Sequence, residues 1–382
     1  MYPCSDAFHE AVRNGNDQKA LLIFPDCVFT DDDISVDTGI EFHDNFNGEQ
    51  DIAIGQTPSN EIDFSIFNDK RLLNGYTFGD FLATLGVLLQ EDTYSARGNV
   101  MIITTYATYV GNSGYPFVVR NDAPVAVQPS FAVKSILAYN GEVWCFSDDG
   151  RFAVYNDANG QNITSGKKLT AFMTNKVKSW VGRGFVYNKS TRRLMIYRNG
   201  DRKIYEFVPL GYFTAERPKA PDTLRINMTC YDYMQKFDKD MPSAATLGVT
   251  YPTTISNLFV KMCNYLNVEY KSSKFINSTA KITMEPEDFQ NATMREVLHW
   301  IAEAAGSNVK FNRDGKLEFV WFRNTDQSYE ATGYSEFNPC WYQTKKVTKL
   351  YNRDTQSGND KTYGTGSEGY LIQDNPILRG VS

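Results

Sequence analysis

The sequence predicts a β-rich α+β protein of more than one domain, and three observations carry that prediction. Aromatic residues make up 14% of the 382-residue chain, with 23 Tyr and 25 Phe, and such side chains suit the half-buried, pleated surface of strands. Short alternating segments recur between Asn-Gly and Asp-Gly pairs, the strongest short-range hairpin signal. Only two segments carry the period of an amphipathic helix, and both lie between residues 253 and 306. At about 100–200 residues per domain, the length allows two or three domains.

Residues 1–20 are polar and show no period, so they read as an N-terminal arm that orders on assembly. Structure is expected from Leu21-Leu22-Ile23-Phe24 onward. A first β-domain spans 21–94 and resumes at 205–230. It carries the alternation Ile62, Phe64, Ile66 against Asp63 and Ser65, and turns at Asp37-Thr38-Gly39, Asn47-Gly48 and Asn74-Gly75. Residues 95–204 read as an inserted β-domain of hairpins. Two of its pieces look alike: Tyr139 to Tyr155 around Asp149-Gly150, and Tyr187 to Tyr205 around Asn199-Gly200. Two copies are too few for a propeller or solenoid.

Residues 231–330 read as a small α/β domain with two helices. Thr253 or Thr254 caps the first, whose Ile255, Leu258, Phe259, Met262, Cys263 and Leu266 fall on one face. The second opens on the capping box Thr293-Met294-Arg295-Glu296, lines up Met294, Val297, Leu298, Ile301, Ala302 and Ala305, and closes at Gly306. A hairpin follows, from Val309–Phe311 through Asp314-Gly315 to Leu317–Phe322. Residues 331–382 return to strand-like sequence with a polar, glycine-rich loop over 354–369.

Three segments, in order, carry a resemblance: Val208-Pro209-Leu210-Gly211-Tyr212-Phe213, then Thr229-Cys230-Tyr231-Asp232-Tyr233-Met234, then Thr293 through Glu303. Together with Gly55-Gln56-Thr57-Pro58-Ser59-Asn60 leading into Glu61 to Asn68, and with Phe78-Gly79-Asp80-Phe81, they resemble the hub proteins of phage tail tips and baseplates. The likeness covers roughly residues 20–95 and 205–330. It implies antiparallel β-barrel hub domains, two per chain, that make a pseudo-sixfold ring in a homotrimer, so that a sixfold tube can meet a threefold tip. The implied partners are tail tube, distal tail and tape-measure proteins and a spike or lytic module, and the implied location is the virion, assembled in the host cytoplasm. Asn375-Pro376 resembles the opening of a further helix, which makes 331–382 the start of a second hub domain whose remainder lies beyond Ser382.

Charge sharpens that expectation. The net charge is −6, but residues 1–92 hold 18 Asp/Glu against 4 Lys/Arg, a local −14, and residues 93–382 hold 27 against 35. An acidic wall suits a channel that passes DNA without retaining it, because Lys and Arg contacts to phosphate dominate non-specific affinity. A solvated, solubilising surface gives the same count.

The sequence offers no enzyme constellation and implies no cofactor. The three histidines, His9, His43 and His299, form no metal or nucleophile motif. His299 sits on the second helix as a partly buried or surface residue. Asp31-Asp32-Asp33 with Asp37 lacks the calcium-loop pattern. The six cysteines contain no closely spaced pair and read as buried thiols. No apolar run is long enough for a transmembrane segment, and Met1 to Asp6 lacks a signal-peptide pattern. Residues 93–205 hold 15 Lys/Arg and 6 Asp/Glu, interleaved with Tyr139, Trp144, Tyr155, Trp180, Tyr187 and Tyr197. Those six aromatics are the candidate ligand-binding residues, since rings among cations stack on sugars or bases; as strand core they would bind nothing. No sequence-specific nucleic-acid motif accompanies them. The alternatives to a hub are a cell-surface carbohydrate-binding protein, taking host cell-wall polysaccharide through this region, and the N-terminal part of a tail-associated peptidoglycan hydrolase.

Overall fold

The computed structural model describes residues 3–24, 28–31, 33–35, 39–44, 54–68, 78–93, 100–103, 107–112, 115–120, 124–126, 130–131, 135–139, 142–147, 150–156, 159–169, 183–188, 193–198, 201–215, 224–320, 349–353, 361–363, 365, 367 and 369–379. The chain divides into two compact units, Met1–Glu41 with Asp63–Cys230, and Phe42–Ile62 with Tyr231–Ser382. The expected turns at Asn47-Gly48, Asn74-Gly75 and Asn199-Gly200, most of the 354–369 loop and residues 321–348 lie outside the described residues.

The first unit opens with helix α1 (Asp6–Arg13) where an arm was expected. Its order comes from a local cap and from contacts with residues far along the chain. Ser5 caps the helix by accepting the Phe8 N–H at 3.1 Å, and its own N–H and hydroxyl donate to the buried Glu206 carboxylate at 3.0 and 2.5 Å. Asn16 then donates to the Leu88 carbonyl at 2.8 Å, and Asp17 accepts from the Tyr205 hydroxyl at 3.1 Å. The polar composition that reads as an unordered arm is the composition of these anchors.

The strands follow as β1 (Gln18–Ile23), β2 (Val28–Thr30), β3 (Ile40–His43), β4 (Glu61–Phe67), β5 (Asp80–Thr93), β6 (Val100–Ile103), β7 (Ala107–Asn112), β8 (Tyr115–Arg120), β9 (Pro124–Ala126), β10 (Ser135–Tyr139), β11 (Glu142–Phe146), β12 (Phe152–Asn156), β13 (Arg183–Asn188), β14 (Arg193–Arg198), β15 (Asp201–Ala215) and β16 (Arg225–Asp232). One large, mainly antiparallel sheet runs β12-β11-β10-β13-β14-β15-β16-β4-β3, with β5, β1 and β2 branching from β15. The two look-alike segments are antiparallel hairpins, β11 with β12 and β14 with β15.

The spine is the ribbon of β5 and β15, paired from Asp201 and Thr93 to Thr214 and Asp80, with register shifts at Ile204/Tyr205 and Pro209/Gly211. β5 occupies one edge of β15 along nearly its whole length, so β14 and β16 share the other. This sharing makes the sheet branch, and no closed barrel forms among the described strands. Between the β2 side and β4 the described link is the isolated bridge of Ile34 with Ile66, flanked by Ser35 N–H to Ser65 O at 2.8 Å and Phe67 N–H to Asp33 O at 2.9 Å. Phe24, which follows β1, stacks on Phe81 of β5 at 4.6 Å, and Phe29, Phe64, Phe78 and Phe213 close around the pair. All six are buried.

The inserted region is not set apart as a unit of its own. β10 to β14 continue the sheet of the ribbon, while β6 to β9 form a separate four-stranded antiparallel meander. β15 itself spans the expected domain boundary at 204/205 without a break.

The second unit is built on two helices. Thr254 caps α3 (Ile255–Tyr265), which follows the short α2 (Ala244–Leu247), and Thr293 caps α4 (Met294–Ala304) through a complete capping box with Glu296. All six apolar residues expected on each helix face are buried. All of them except Ala305 enclose one core with Met234, Phe237, Ile282, Phe289, Val309, Phe311, Leu317 and Ile377. β17 (Thr253–Thr254) pairs with β18 (Lys281–Ile282), and β19 (Asn308–Phe311) pairs with β20 (Leu317–Val320). The second hairpin is extended on both sides. Gly55 N–H donates to Ser307 O and Val309 N–H to Gln56 O on one edge, and Leu317 N–H to Glu269 O on the other. Beyond residue 348 the described strands β21 (Lys349–Arg353), β22 (Lys361–Tyr363) and β23 (Gly369–Gln373) make a three-stranded sheet, followed by α5 (Pro376–Arg379).

Candidate functional site

The six aromatics singled out in the inserted region have unequal positions. Trp144 and Tyr155 lie on β11 and β12 and are 4% and 5% exposed. The Trp144 ring stacks on Phe146 and Phe152, and its indole N–H donates to Glu142 at 3.0 Å, so its faces and its one donor are already used. Tyr155 is pushed up to about 12, first by burial and then by Cys145. Both pack as strand core in stretches covered on both faces, since Val143 to Phe146 and Ala153 to Tyr155 are buried without alternation. Tyr139, Tyr187 and Tyr197 are placed on β10, β13 and β14. Trp180 lies outside the described residues.

Among the described residues, a cluster of partly buried ionisable groups lies in the second unit, along one side of α4. His299 is held through both ring nitrogens: Nδ1 lies 2.7 Å from the Gly55 carbonyl oxygen and Nε2 3.5 Å from Glu303 Oε1. Asn375, 1% exposed, donates from its amide to Glu303 Oε2 and to Trp300 O, each at 2.9 Å. Its oxygen accepts the N–H groups of Ile377 and Leu378 and so caps α5. Burial pushes the Glu303 carboxyl up, against the lowering effects of His299 and Asn375.

One turn earlier on α4, Arg295 reaches Thr57 O, Ser59 Oγ and the Asp238 carboxylate. Asp232 accepts from Asn60 and Met234 and is pushed up to about 6, chiefly by burial. Lys310 pairs with Asp44. For His299, Arg295 and Lys310 one partner comes from residues 42–62 or the turn after β16, and the other from α4 or β19. The chemistry this arrangement supports is fastening. Both nitrogens of His299 face protein atoms, and each carboxylate is engaged by neighbouring N–H groups. Among the described residues no three His, Cys, Asp or Glu side chains gather as a metal site, and no described helix is long and apolar enough to cross a membrane.

Sequence reasoning pointed to Asp232, Asn375 and α4 only as parts of motifs. Gly55 and Glu303 carried no separate signal, since their partners are 244 and 72 residues away. Cys145, Cys230 and Cys263 are buried free thiols, and burial raises Cys145 and Cys263 to about 12.

No known protein family matches the sequence, and no curated protein matches it. Among solved structures, the chain is similar over 95% of its length, and over 76% of the other chain, to the crystal structure of a 43 kDa tail protein of prophage MuSo2 from Shewanella oneidensis, at 11% identity and a TM-score of 0.32. It is also similar to a Myxococcus xanthus glutaminyl cyclase, over 48% of this chain and 77% of that one, at 11% identity and a TM-score of 0.20. Scores of this size do not establish a common fold.

Proposed function

We propose that this chain is a structural hub of a phage or prophage-derived tail tip or baseplate, and that it has no catalytic role. It closes the tail tube as a homotrimer and joins the tube to the host-contact device. Its partners in this reading are tube, distal tail and tape-measure proteins and a spike or lytic module. The observation that carries the reading is the ordered trio of motif segments, with the use each is put to. Val208–Phe213 holds the Pro209/Gly211 register shift of β15. Thr229–Met234 ends β16 and turns into the short 3-10 helix Tyr233–Phe237 under the Asp232 cap. Thr293–Glu303 is the capped helix of the second core. Residues spent on bending, capping and packing suit a protein selected for shape. The excess of 18 acidic over 4 basic residues in the first 92 suits a passage that must not hold DNA.

The test is assembly. Light scattering of the purified chain should give a trimer mass, negative-stain images should show threefold rings, and antibody labelling should mark the tail tip of intact particles. A monomer at high concentration, absent from purified virions, would exclude the hub reading.

A further inference from the structure

The three side chains of the α4 cluster hold a proton in a definable place. The Gly55 carbonyl can only accept, so the His299 Nδ1 that faces it at 2.7 Å must carry hydrogen. That fixes the tautomer and leaves Nε2 facing Glu303 Oε1 at 3.5 Å. Two lone pairs in that position repel, so the contact is attractive only when one further proton is present, either on Nε2 or on the carboxyl. Asn375 cannot supply it to Oε1, because its amide hydrogens go to Glu303 Oε2 and Trp300 O.

The Gly55 turn is built to sit against this pair. Its φ of +89° is a left-handed conformation, and a Cβ there would lie 2.4 Å from Glu303 Cγ and 3.0 Å from His299 Cε1 and Nδ1. The turn's N–H groups add the bonds Gly55 to Ser307 O and Gln56 to Asn308 Oδ1, both at 3.0 Å.

We propose that His299 and Glu303 share one proton as a clasp that fastens the Gly55 turn to α4, and that raising the pH removes this proton and opens the clasp. The surrounding charges leave the pair to itself. On α4, Arg295 is engaged by Asp238 and Glu296 by the capping box. Residues 54–60 contain no ionisable side chain. On β19, Lys310 pairs with Asp44; at the α5 end are Asp374 and Arg379, the latter paired with Asp288. His299 is the charged group that acts on Glu303, and burial of Glu303 favours retaining the proton. The turn belongs to Phe42–Ile62, the excursion the first stretch of chain makes into the second unit, so an open clasp loosens that excursion where it is fastened.

Hydrogen exchange of the full chain tests this, reading peptides over residues 54–57 against the α3 helix, with rates corrected for intrinsic pH dependence. Between about pH 6 and about pH 9, wild-type protection of the turn should fall about tenfold while α3 stays protected. Glu303→Gln supplies a permanent donor to Nε2 and an acceptor to Asn375, so its turn should stay protected throughout. Histidine-labelled NMR of the wild type, with three histidines to assign, should show Nδ1 of His299 protonated at both ends of the range. A flat wild-type profile, an equal fall in E303Q, a fall shared by α3, or an Nε2-protonated neutral ring would each overturn the clasp.

Discussion

Asp232 binds the main-chain N–H of Asn60 with one carboxylate oxygen and that of Met234 with the other, each at 3.0 Å. One side chain thus ends β16, starts the 3-10 turn and holds the strand-bound segment before β4. It does so while 2% exposed, and burial lifts its pKa to about 6 in spite of both hydrogen bonds.

A pH dependence follows. In the unfolded chain the carboxyl titrates near its ordinary value of about 4, so between about pH 4 and about pH 6 the folded state holds a proton that the unfolded state has lost. The associated stabilisation is fully present below about pH 4 and is lost as the pH rises through about 6. At roughly 1.4 kcal/mol per unit it amounts to about 3 kcal/mol. Asp232→Asn cannot titrate. Urea unfolding of both proteins at about pH 4.5 and about pH 7 should show wild type losing ground against the variant as pH rises. An unchanged difference between the two pH values contradicts the assignment.

In the first unit, Gly86 and Phe207 are cross-strand partners on the β5/β15 ribbon. A Cβ at Gly86 would lie 2.5–2.7 Å from the Phe207 ring, which is fully buried. Gly86→Ala should therefore destabilise by about 1–3 kcal/mol through overpacking, and Phe207→Ala by about 3–5 kcal/mol through the cavity it leaves. In the Phe207→Ala background the added methyl has room, so the double mutant should be more stable than the sum of the two losses predicts. Strict additivity would show that ring and glycine do not meet.

These pairs show where the sequence was readable. Both long helices were legible, the second to its capping residue and the first to the pair Thr253/Thr254, because caps act within three residues and the apolar faces repeat within the helix. The β11/β12 and β14/β15 hairpins were legible for the same reason. What failed was long in range. The branching of the sheet at β15 depends on strands more than 100 residues apart, and periodicity says nothing about which edge each takes. Ser5 reads as a polar arm residue until Glu206 is placed beside it. Trp144 and Tyr155 were open to a binding reading beside the favoured core one, since composition does not tell which face of a strand is covered.

The ribbon also defines a splice point. Thr93 and Asp201 are directly paired at its end, so replacing residues 94–200 by Asn-Gly should close β5 and β15 as a two-residue hairpin. The shortened chain is expected to keep a cooperative thermal transition, at a lower Tm because β15 loses β14 along Asp201–Glu206. Arg202 and Lys203 on that freed edge should oppose edge-to-edge aggregation. Loss of any cooperative transition, followed by far-UV circular dichroism, would make the inserted region integral to the core.

The last prediction concerns α4, whose part in the fold can be separated by scale. Leu298 is fully buried in the second core, so Leu298→Ala should cost about 2–5 kcal/mol. Leu298→Met keeps volume and apolarity and should cost less than about 1.5 kcal/mol. Thr293 instead supplies the cap, accepting the Glu296 N–H at 3.2 Å, and Thr293→Ala should cost about 1 kcal/mol. Urea midpoints should place Leu298→Ala clearly below the other two variants, with unchanged slopes. If the chain works as a scaffold, incorporation into particles should follow the same ranking, because assembly then depends on how much folded protein is present. A Leu298→Met protein as stable as wild type yet unable to assemble would show that this side chain has a role beyond the core it fills.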